Sequence, residues 1–278
     1  PDVFGWNSAV KVANALVAAG NQLKNNGFAT YSVAPSNGGG AVNALSYFDQ
    51  IIQVSGVSQF LKEFSYHRYD TVNDTHLQQI TSRALQYNVN TAMLEHISSG
   101  HTDLHADLTK GRNSAWEQFA LAYPNPDSGG KYYWIGSGGS VNMGIRTKYL
   151  RQYFKYIRKG AVRLDASSSN SNAEPVAFRN TNGRHVVVVK HATGGAFSVQ
   201  GLPADTYGIF YTTGFDGSAP IQYDINLSDQ TISSGQALST NIPTLGVITI
   251  YGKGAGTPNQ PPVINSAPSA MPNPTQLK

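Results

Sequence analysis

Residues 89–108 read VNTAMLEHISSGHTDLHADL, a short apolar run followed at once by a carboxylate and then by three histidines. Apolar runs of about four to eight residues are typical of strands buried in a parallel sheet. The run therefore predicts a strand that ends at Glu95. In parallel α/β sheets the ligand chemistry lies at this carboxyl end of the strands. A catalytic carboxylate, a metal site at the histidines and an ordinary strand-to-helix junction are the alternatives.

Strands and amphipathic helices alternate on both sides of this stretch. Residues 28–35 predict a buried strand, and further strands are predicted within 60–70 and 131–139. Segment 103–124 is predicted to be helical in at least its second part. This alternation predicts a parallel sheet with right-handed crossovers, built from about four βα units over residues 1–159.

After Gly160 the pattern changes to short alternating runs bounded by Asn-Gly, Gly-Gly and Asp-Gly turns. Strands with turn signals about every 8 to 12 residues predict an antiparallel β-sandwich, here over 160–253. The sequence NTNGRH (180–185) predicts a hairpin with a two-residue turn, and the apolar run 186–189 a strand buried on both faces. Residues 254–278, rich in Pro, Asn and Ser, predict a linker.

The composition narrows the class of protein. The chain has 278 residues, 40% of them hydrophobic, which is enough to bury a core, while only 13% are charged. This profile, with 28 Gly and 15 Tyr, suits a secreted bacterial carbohydrate-handling protein. The net charge of +4 is scattered, which disfavours nucleic-acid binding, and no apolar run has the length of a membrane-spanning helix. Without cysteine there are no disulfides and no thiol nucleophile.

Several chemistries lack their motif in this sequence. It contains no glycine-rich dinucleotide fingerprint, no phosphate-binding loop and no Gly-x-Ser-x-Gly elbow, so we expect neither a nucleotide cofactor nor a serine hydrolase. His101 and His105 are four residues apart with Asp103 between them, a spacing that two metal ligands on a helix would have. The segment is polar throughout, however. We therefore expect a solvent-exposed helix start, with Asp103 and Asp107 complementing the helix dipole, and no metal.

Four segments carry a family resemblance. EFSYHRYD (63–70), TAMLEH (91–96), KYYWIG (131–136) and TKYLRQYFKYIRKGAVRL (147–164) follow one another and lead into the β-rich part. In order and spacing the chain resembles the C-terminal part of a clan A retaining glycoside hydrolase, and is most like glycoside hydrolase family 30 and its relatives. The resemblance implies an α/β plus all-β chain, with half of a TIM-type barrel followed by a β-sandwich.

The resemblance also implies roles for particular residues. The family nucleophile is a Glu at the end of the seventh barrel strand, which maps onto Glu95. His67 and Tyr69 match positions that contact the sugar or the nucleophile, although His67 also suits a hydrogen-bonded loop. Apart from the resemblance, Trp134 on the last predicted barrel strand is a candidate to stack on a sugar, because an aromatic plane matches the C–H face of a pyranose, with core packing as the alternative. Asn37, after the first strand, is a further substrate-binding candidate.

The family acid/base, a Glu that usually follows Asn, has no match, because the chain contains no Asn-Glu pair. We therefore expect a fragment of a retaining β-glycanase that acts on a polysaccharide, weak or inactive without an N-terminal half. A half-barrel exposes two strand edges, so we also expect a homo-oligomer or a complementary chain. The alternative function is a non-catalytic carbohydrate-binding or structural module.

Overall fold

The computed structural model describes residues 8–36, 39–124 and 131–254. Most of the predicted linker lies outside these residues. The described helices are α1 (Ala9–Asn25), α2 (Ala41–Ile51), α3 (Val57–Phe60), α4 (Asp74–Tyr87), α5 (His101–Thr109) and α6 (Ile145–Phe154). None of them has the length and apolar character that crossing a membrane requires.

A four-stranded parallel sheet forms the centre of the N-terminal part. Its strands, in spatial order, are β1 (Ser32–Pro35), β2 (Leu61–His67), β3 (Asn90–Glu95) and β4 (Ala115–Trp116). Helices connect successive strands up to β4, as the alternation predicts. Within the described residues the sheet stays open and no closed barrel forms.

Helix α4 shows why the sequence places a helix before β3. The side chain of Asn73 caps it by accepting a hydrogen bond from the His76 backbone N–H at 3.0 Å. It ends at Asn88, whose φ of 53° is a left-handed conformation that asparagine tolerates. Residues at helical spacing face the sheet: Leu77, Ile80 and Ala84. The side-chain cap and the amphipathic pattern together explain why this segment forms a helix.

The fourth strand of the parallel sheet is not the one that the sequence predicts. The two-residue β4 pairs with β3, with Trp116 opposite Met93. The predicted segment instead forms β6 (Lys131–Ile135), in a separate sheet with β5 (Ala120–Pro124) and β7 (Val141–Met143). A short apolar-aromatic run is compatible with either sheet, because periodicity does not encode which strand lies beside it.

Segment 103–124 also differs from its prediction, because its first part is helical and its second part is extended. Helix α5 ends at Thr109, and Arg112 adopts a positive φ of 51° that a continuing helix could not contain. The indole of Trp116 then donates a hydrogen bond to the Asp107 carboxylate at 2.8 Å. This tertiary bond fixes β4 against α5, which local propensity does not reveal.

The first strand is shorter and more exposed than predicted. Only Ser32–Pro35 is extended, and Val33 keeps 50% of its surface in solvent. Phe28 and Tyr31 before it are exposed as well. Strand β1 lies at the edge of the sheet and pairs only with β2, so the prediction of a buried strand is wrong here.

The C-terminal part consists of antiparallel strands at the predicted alternating runs. A six-stranded sheet contains, in spatial order, β13 (Gln222–Ile232), β12 (Asp205–Thr213), β15 (Gly246–Gly252), β10 (His185–His191), β9 (Ala173–Arg179) and β8 (Val162–Leu164). A two-stranded sheet contains β11 (Gly195–Val199) and β14 (Leu238–Ile242). Strand β14 was not predicted. Its polar residues Ser239, Thr240 and Asn241 hide the alternation.

The β9–β10 hairpin has a longer turn than predicted. Arg179 pairs with His185, and the Asn180 N–H donates to the Arg184 carbonyl at 2.9 Å. Three residues then make the turn, and Gly183 has a φ of 81°. A left-handed glycine after a tight turn is the usual geometry of a three-residue loop, so the two-residue prediction is wrong.

Both faces of the six-stranded sheet are buried. Val186, Val188 and Phe210 belong to the same core cluster as the helices and the parallel sheet. Val187 and Ile250 belong to a second cluster, which includes residues of β11 and β14. The continuous valine run of β10 is thus buried on both sides, as predicted, and the two parts of the chain share one core.

Candidate active site

Glu95 is the last residue of β3, at the carboxyl edge of the parallel sheet. Strands β2 and β3 keep a regular register up to the pair Tyr66–Met93, and then the register shifts by one residue. In regular register His67 would lie opposite Leu94, but the shift places it opposite Glu95. Paired residues of neighbouring strands point to the same face of a sheet. The shift therefore brings the Glu95 carboxylate to the face that carries His67.

Two side chains contact the Glu95 carboxylate. The hydroxyl of Tyr69 donates a hydrogen bond to Glu95 Oε1 at 2.8 Å, and His67 Nδ1 lies 4.0 Å from the same oxygen. The Glu95 side chain remains 36% exposed, so one side of the carboxylate is open to a ligand. We call His67, Tyr69 and Glu95 the open-face site. The structure thus brings together three of the residues that the sequence singles out.

The protonation states of the open-face site follow from burial. Burial and the hydrogen bond to Glu95 raise the pKa of Tyr69 to about 12, so its hydroxyl stays protonated and donates. Burial lowers the pKa of His67, and the nearby Glu95 carboxylate only partly opposes this. His67 is therefore neutral at pH 7. Its buried Nδ1 atom has no hydrogen-bond partner, which leaves it free to bond a ligand.

His96 supports Tyr69 from the side. Its ring lies edge-on to the Tyr69 ring, with centroids 5.1 Å apart. The His96 Nδ1 atom and the Ser99 hydroxyl lie 2.8 Å apart, at hydrogen-bond distance. These contacts restrict the rotamer of Tyr69 and thereby the direction of its hydroxyl.

Behind the open-face site lies a second, fully buried set of polar groups. The Asp107 carboxylate, 0% exposed, accepts hydrogen bonds from the Tyr66 hydroxyl at 2.6 Å, Arg68 Nη1 at 2.6 Å and Trp116 Nε1 at 2.8 Å. Arg68 Nη2 also donates to Asp103 at 2.9 Å. We call Tyr66, Arg68, Asp107 and Trp116 the helix-side network. Burial raises the pKa of Asp107 to about 6, although the Arg68 cation opposes this.

The expected solvent-exposed start of α5 is wrong. His101 is only 3% exposed and stacks on Tyr149 at a centroid distance of 4.9 Å. His105 is 1% exposed, and its Nδ1 atom lies 2.9 Å from the Tyr153 hydroxyl. Both rings pack against α6 as aromatic core residues would. Asp103 does accept a hydrogen bond from the Gly100 N–H at the helix start, but Asp107 faces the sheet instead.

Two further carboxylates lie near the parallel sheet, Glu63 on β2 and Glu117 directly after β4. Burial and the neighbouring Glu117 carboxylate together raise the pKa of Glu63. Glu63 is four residues before His67 and therefore shares its face of β2. Among the described residues, the side chains that hydrogen-bond or pair with the Glu95 carboxylate are those of Tyr69 and His67. The parts of the chain that the structure describes also contain no cluster of three or more acidic, His or Cys side chains able to hold a metal.

The other predicted substrate residues are Trp134 and Asn37. Trp134 is on β6 and lines a cavity of about 450 Å³ together with Asn142 and Lys148. Among the described residues, the hydrogen bonds and ring contacts of the open-face site do not involve Trp134. Asn37 lies outside the described residues. Sequence reasoning missed the helix-side network, for which the only local signal was the spacing of Asp103 and Asp107 by one helical turn.

No protein-family model matches this sequence, and no curated protein sequence does so either. Solved structures do match. The catalytic domain of a GH30 xylanase from Talaromyces cellulolyticus aligns with a TM-score of 0.68 and 17% identity over 88% of this chain and 57% of that chain. A GH30 subfamily 8 xylanase from Clostridium acetobutylicum aligns with a TM-score of 0.65 and 17% identity over 88% of this chain and 60% of that chain. An endo-β-1,6-glucanase aligns with a TM-score of 0.60 and 16% identity over 88% of this chain and 54% of that chain.

These likenesses show that the chain has a GH30-like fold, at low sequence identity. The chain spans a little over half the length of these three proteins. The activities of these three proteins differ, since two are xylanases and one is a β-1,6-glucanase. The fold alone therefore does not decide a substrate.

Proposed function

We propose that this chain is part of a retaining glycoside hydrolase that acts on a β-linked polysaccharide, with Glu95 as the nucleophile. The observation that carries the proposal is the open-face site. A half-exposed carboxylate lies at the carboxyl end of a parallel strand and is oriented by a tyrosine hydroxyl. The likeness to glycoside hydrolase structures supports the same reaction class.

The proposed chemistry has two displacements. A Glu95 carboxylate oxygen attacks the anomeric carbon, the glycosidic C–O bond breaks, and a covalent glycosyl–enzyme forms. Water then attacks the anomeric carbon and releases Glu95. Tyr69 holds one carboxylate oxygen so that the other faces the sugar, and neutral His67 offers its free Nδ1 atom to a sugar hydroxyl. Trp134 and Asn37 are further proposed sugar contacts.

Retaining hydrolysis also needs a carboxylic acid about 5 to 5.5 Å from the nucleophile to protonate the leaving oxygen. We propose that this group belongs to a segment that completes the barrel, whether in a longer chain or in a partner chain. In this view residues 1–159 form half of a (β/α) barrel, 160–253 a β-sandwich and 254–278 a linker in a secreted protein. Little or no turnover of a natural glycan is then expected from these residues alone.

Covalent trapping tests the nucleophile without the missing acid. A 2-fluoro-β-xyloside or 2-fluoro-β-glucoside with a 2,4-dinitrophenyl leaving group reacts without protonation of that group, since the phenolate is stable. We expect one fluoroglycosyl adduct on the peptide containing Glu95, located by mass spectrometry. Glu95→Gln should abolish the adduct, and Glu63→Gln, a matched change on the neighbouring strand, should leave it. A label on any other residue, or none with either sugar, contradicts the assignment.

A non-catalytic carbohydrate-binding module is the second candidate. A cavity of about 720 Å³ in the antiparallel part favours it, because the polar residues 167–170 and the ring of Phe197 line it. Aromatic faces and hydroxyl groups are the groups that sugars bind. Retention of the protein on insoluble xylan or glucan, without released sugar and without labelling of Glu95, would support this candidate over the first.

A further inference from the structure

We propose that Asp107 is a positioning residue for the open-face site, acting through Arg68. Arg68 lies between His67 and Tyr69, the two residues that contact Glu95. The Arg68 guanidinium contacts α5 on the helix side, whereas the side chains of His67 and Tyr69 contact Glu95 on the open face. The contacts that hold Arg68 in place therefore also hold the backbone of His67 and Tyr69, the two residues that contact Glu95.

Arg68 is fixed at both of its ends. Its guanidinium binds Asp107 at 2.6 Å and Asp103 at 2.9 Å, and both carboxylates belong to α5. Its backbone N–H donates to the Glu95 carbonyl at 3.3 Å, just beyond the register shift. Arg68 thus joins α5 to the very residue of β3 that carries the proposed nucleophile.

Asp107 is the centre of this arrangement. It receives donors from Tyr66 of β2, from Arg68 directly after β2, and from Trp116 of β4, so it connects α5 to the strands on either side of β3. A carboxylate that is 0% exposed is costly to bury, and an apolar residue would fill the same space without that cost. Its directional bonds set the relative position of the strand ends, which apolar packing would not define.

The inference rests on the proposed function only in taking Glu95 as the reacting group, and its test needs no turnover. The imidazole of His67 reports its distance from Glu95, because the carboxylate raises the His67 pKa against the effect of burial. The chain has seven histidines, so ring carbon–proton NMR resolves them, and His67→Gln assigns the signal. The measured quantity is the change in the His67 titration midpoint caused by Glu95→Gln.

This change is measured in the wild-type protein and in Asp107→Asn, as a double-mutant cycle. In the wild type, Glu95→Gln should lower the His67 midpoint. In Asp107→Asn we expect Glu95→Gln to lower the His67 midpoint by about half as much or less, because His67 and Glu95 are held less closely together. Asp49→Asn is the matched control, because Asp49 pairs with Arg83 at 2.6 Å on an exposed surface. It should leave the full change in place.

A purely structural role for Asp107 makes a different prediction. Asp107→Asn would then melt at a lower temperature, yet Glu95→Gln would shift His67 as much as in the wild type, and that result overturns the proposal. If Asp107→Asn does not fold, Asp103→Asn removes the second contact of Arg68 and should reduce the shift in the same direction. An undiminished shift there also overturns it. Failure of the proposed function would appear separately, as missing labelling of Glu95 in the wild type.

Discussion

The two faces of the sheet at its carboxyl edge differ in how completely their polar groups are bonded. On the helix side, Asp107 is buried and receives three donors. On the open face, Glu95 is partly exposed with one hydrogen bond, and the buried His67 Nδ1 atom has none. Alternate residues of the same strands supply both faces. The helix side of the strand ends thus carries the stabilising hydrogen bonds, and the open face keeps polar atoms that can bond a ligand.

The largest effect is expected from breaking the helix-side network. Asp107→Ala leaves the Arg68 cation with only its half-exposed partner Asp103, and should lower the free energy of unfolding by about 3 to 5 kcal/mol. Urea denaturation followed by circular dichroism measures this. Asp103→Ala, which leaves the buried pair intact, should cost clearly less. A loss of under about 1 kcal/mol for Asp107→Ala would show that the two faces contribute alike.

Acid should lower the stability of the helix side of the sheet, because the buried histidines of α5 become protonated. Burial lowers the pKa of His101 to about 4, below the unfolded value of about 6.5. The unfolded chain therefore binds a proton first, and the stability from His101 is complete above pH 6.5 and is lost as the pH falls toward 4. Between pH 6.5 and 5 the loss is about 2 kcal/mol.

Comparison with His101→Gln isolates this contribution. The difference in unfolding free energy between pH 7 and pH 5 should be about 2 kcal/mol smaller in the variant. The variant comparison is needed because Asp107, with its raised pKa, acts in the opposite direction as the pH falls through 6. An equal pH dependence in both proteins would mean that His101 binds its proton at the same pH in the folded and unfolded chains.

On the open face we expect reactivity to change more than stability. Tyr69→Phe removes a hydrogen bond to a carboxylate, worth about 1.5 kcal/mol, and should slow the labelling of Glu95 by about tenfold. The free energy of unfolding should fall by no more than about 1 kcal/mol, because water replaces the bond at this exposed position. A large stability loss with unchanged labelling would reverse the proposed contrast between the faces.

The smallest effect is expected where a similar ion pair lies in solvent. Arg83 and Asp49 approach to 2.6 Å, the same distance as Arg68 and Asp107, but on an exposed surface. Arg83→Gln should change the free energy of unfolding by less than about 1 kcal/mol. Denaturation of this variant beside Asp107→Ala isolates the contribution of burial at constant geometry. Equal losses would show that distance, rather than burial, sets the cost.

The part of the site that can be predicted is the part that depends on residues close together in the sequence. The apolar run 91–94 placed Glu95 at a strand end, and His67 and Tyr69 followed another strand by the same logic. The pairing of Arg68 with Asp107 joins residues 39 positions apart, and no local pattern contains it. The two-residue β4 is too short to show any periodicity. Its position depends on tertiary bonds such as the one from Trp116 to Asp107.

The histidines of α5 show how a polar composition misleads. His101 and His105 were expected in solvent because the segment is rich in charged and polar residues. Burial lowers the pKa of both, so the neutral rings behave as aromatic side chains that stack on Tyr149 and contact Tyr153. Periodicity counts histidine as polar, whereas the fold uses these two as core residues.

The one-residue register shift between β2 and β3 makes the number of residues in β3 as important as their identity. Removing one residue from 91–94 would absorb the shift and leave the glutamate opposite His67, whereas inserting one residue would turn its carboxylate toward α5. Surface loops accept insertions readily, but this strand should not accept one without losing its proposed nucleophile. In related chains, insertions should therefore concentrate in the loops between strands and be absent between the start of β3 and its terminal glutamate.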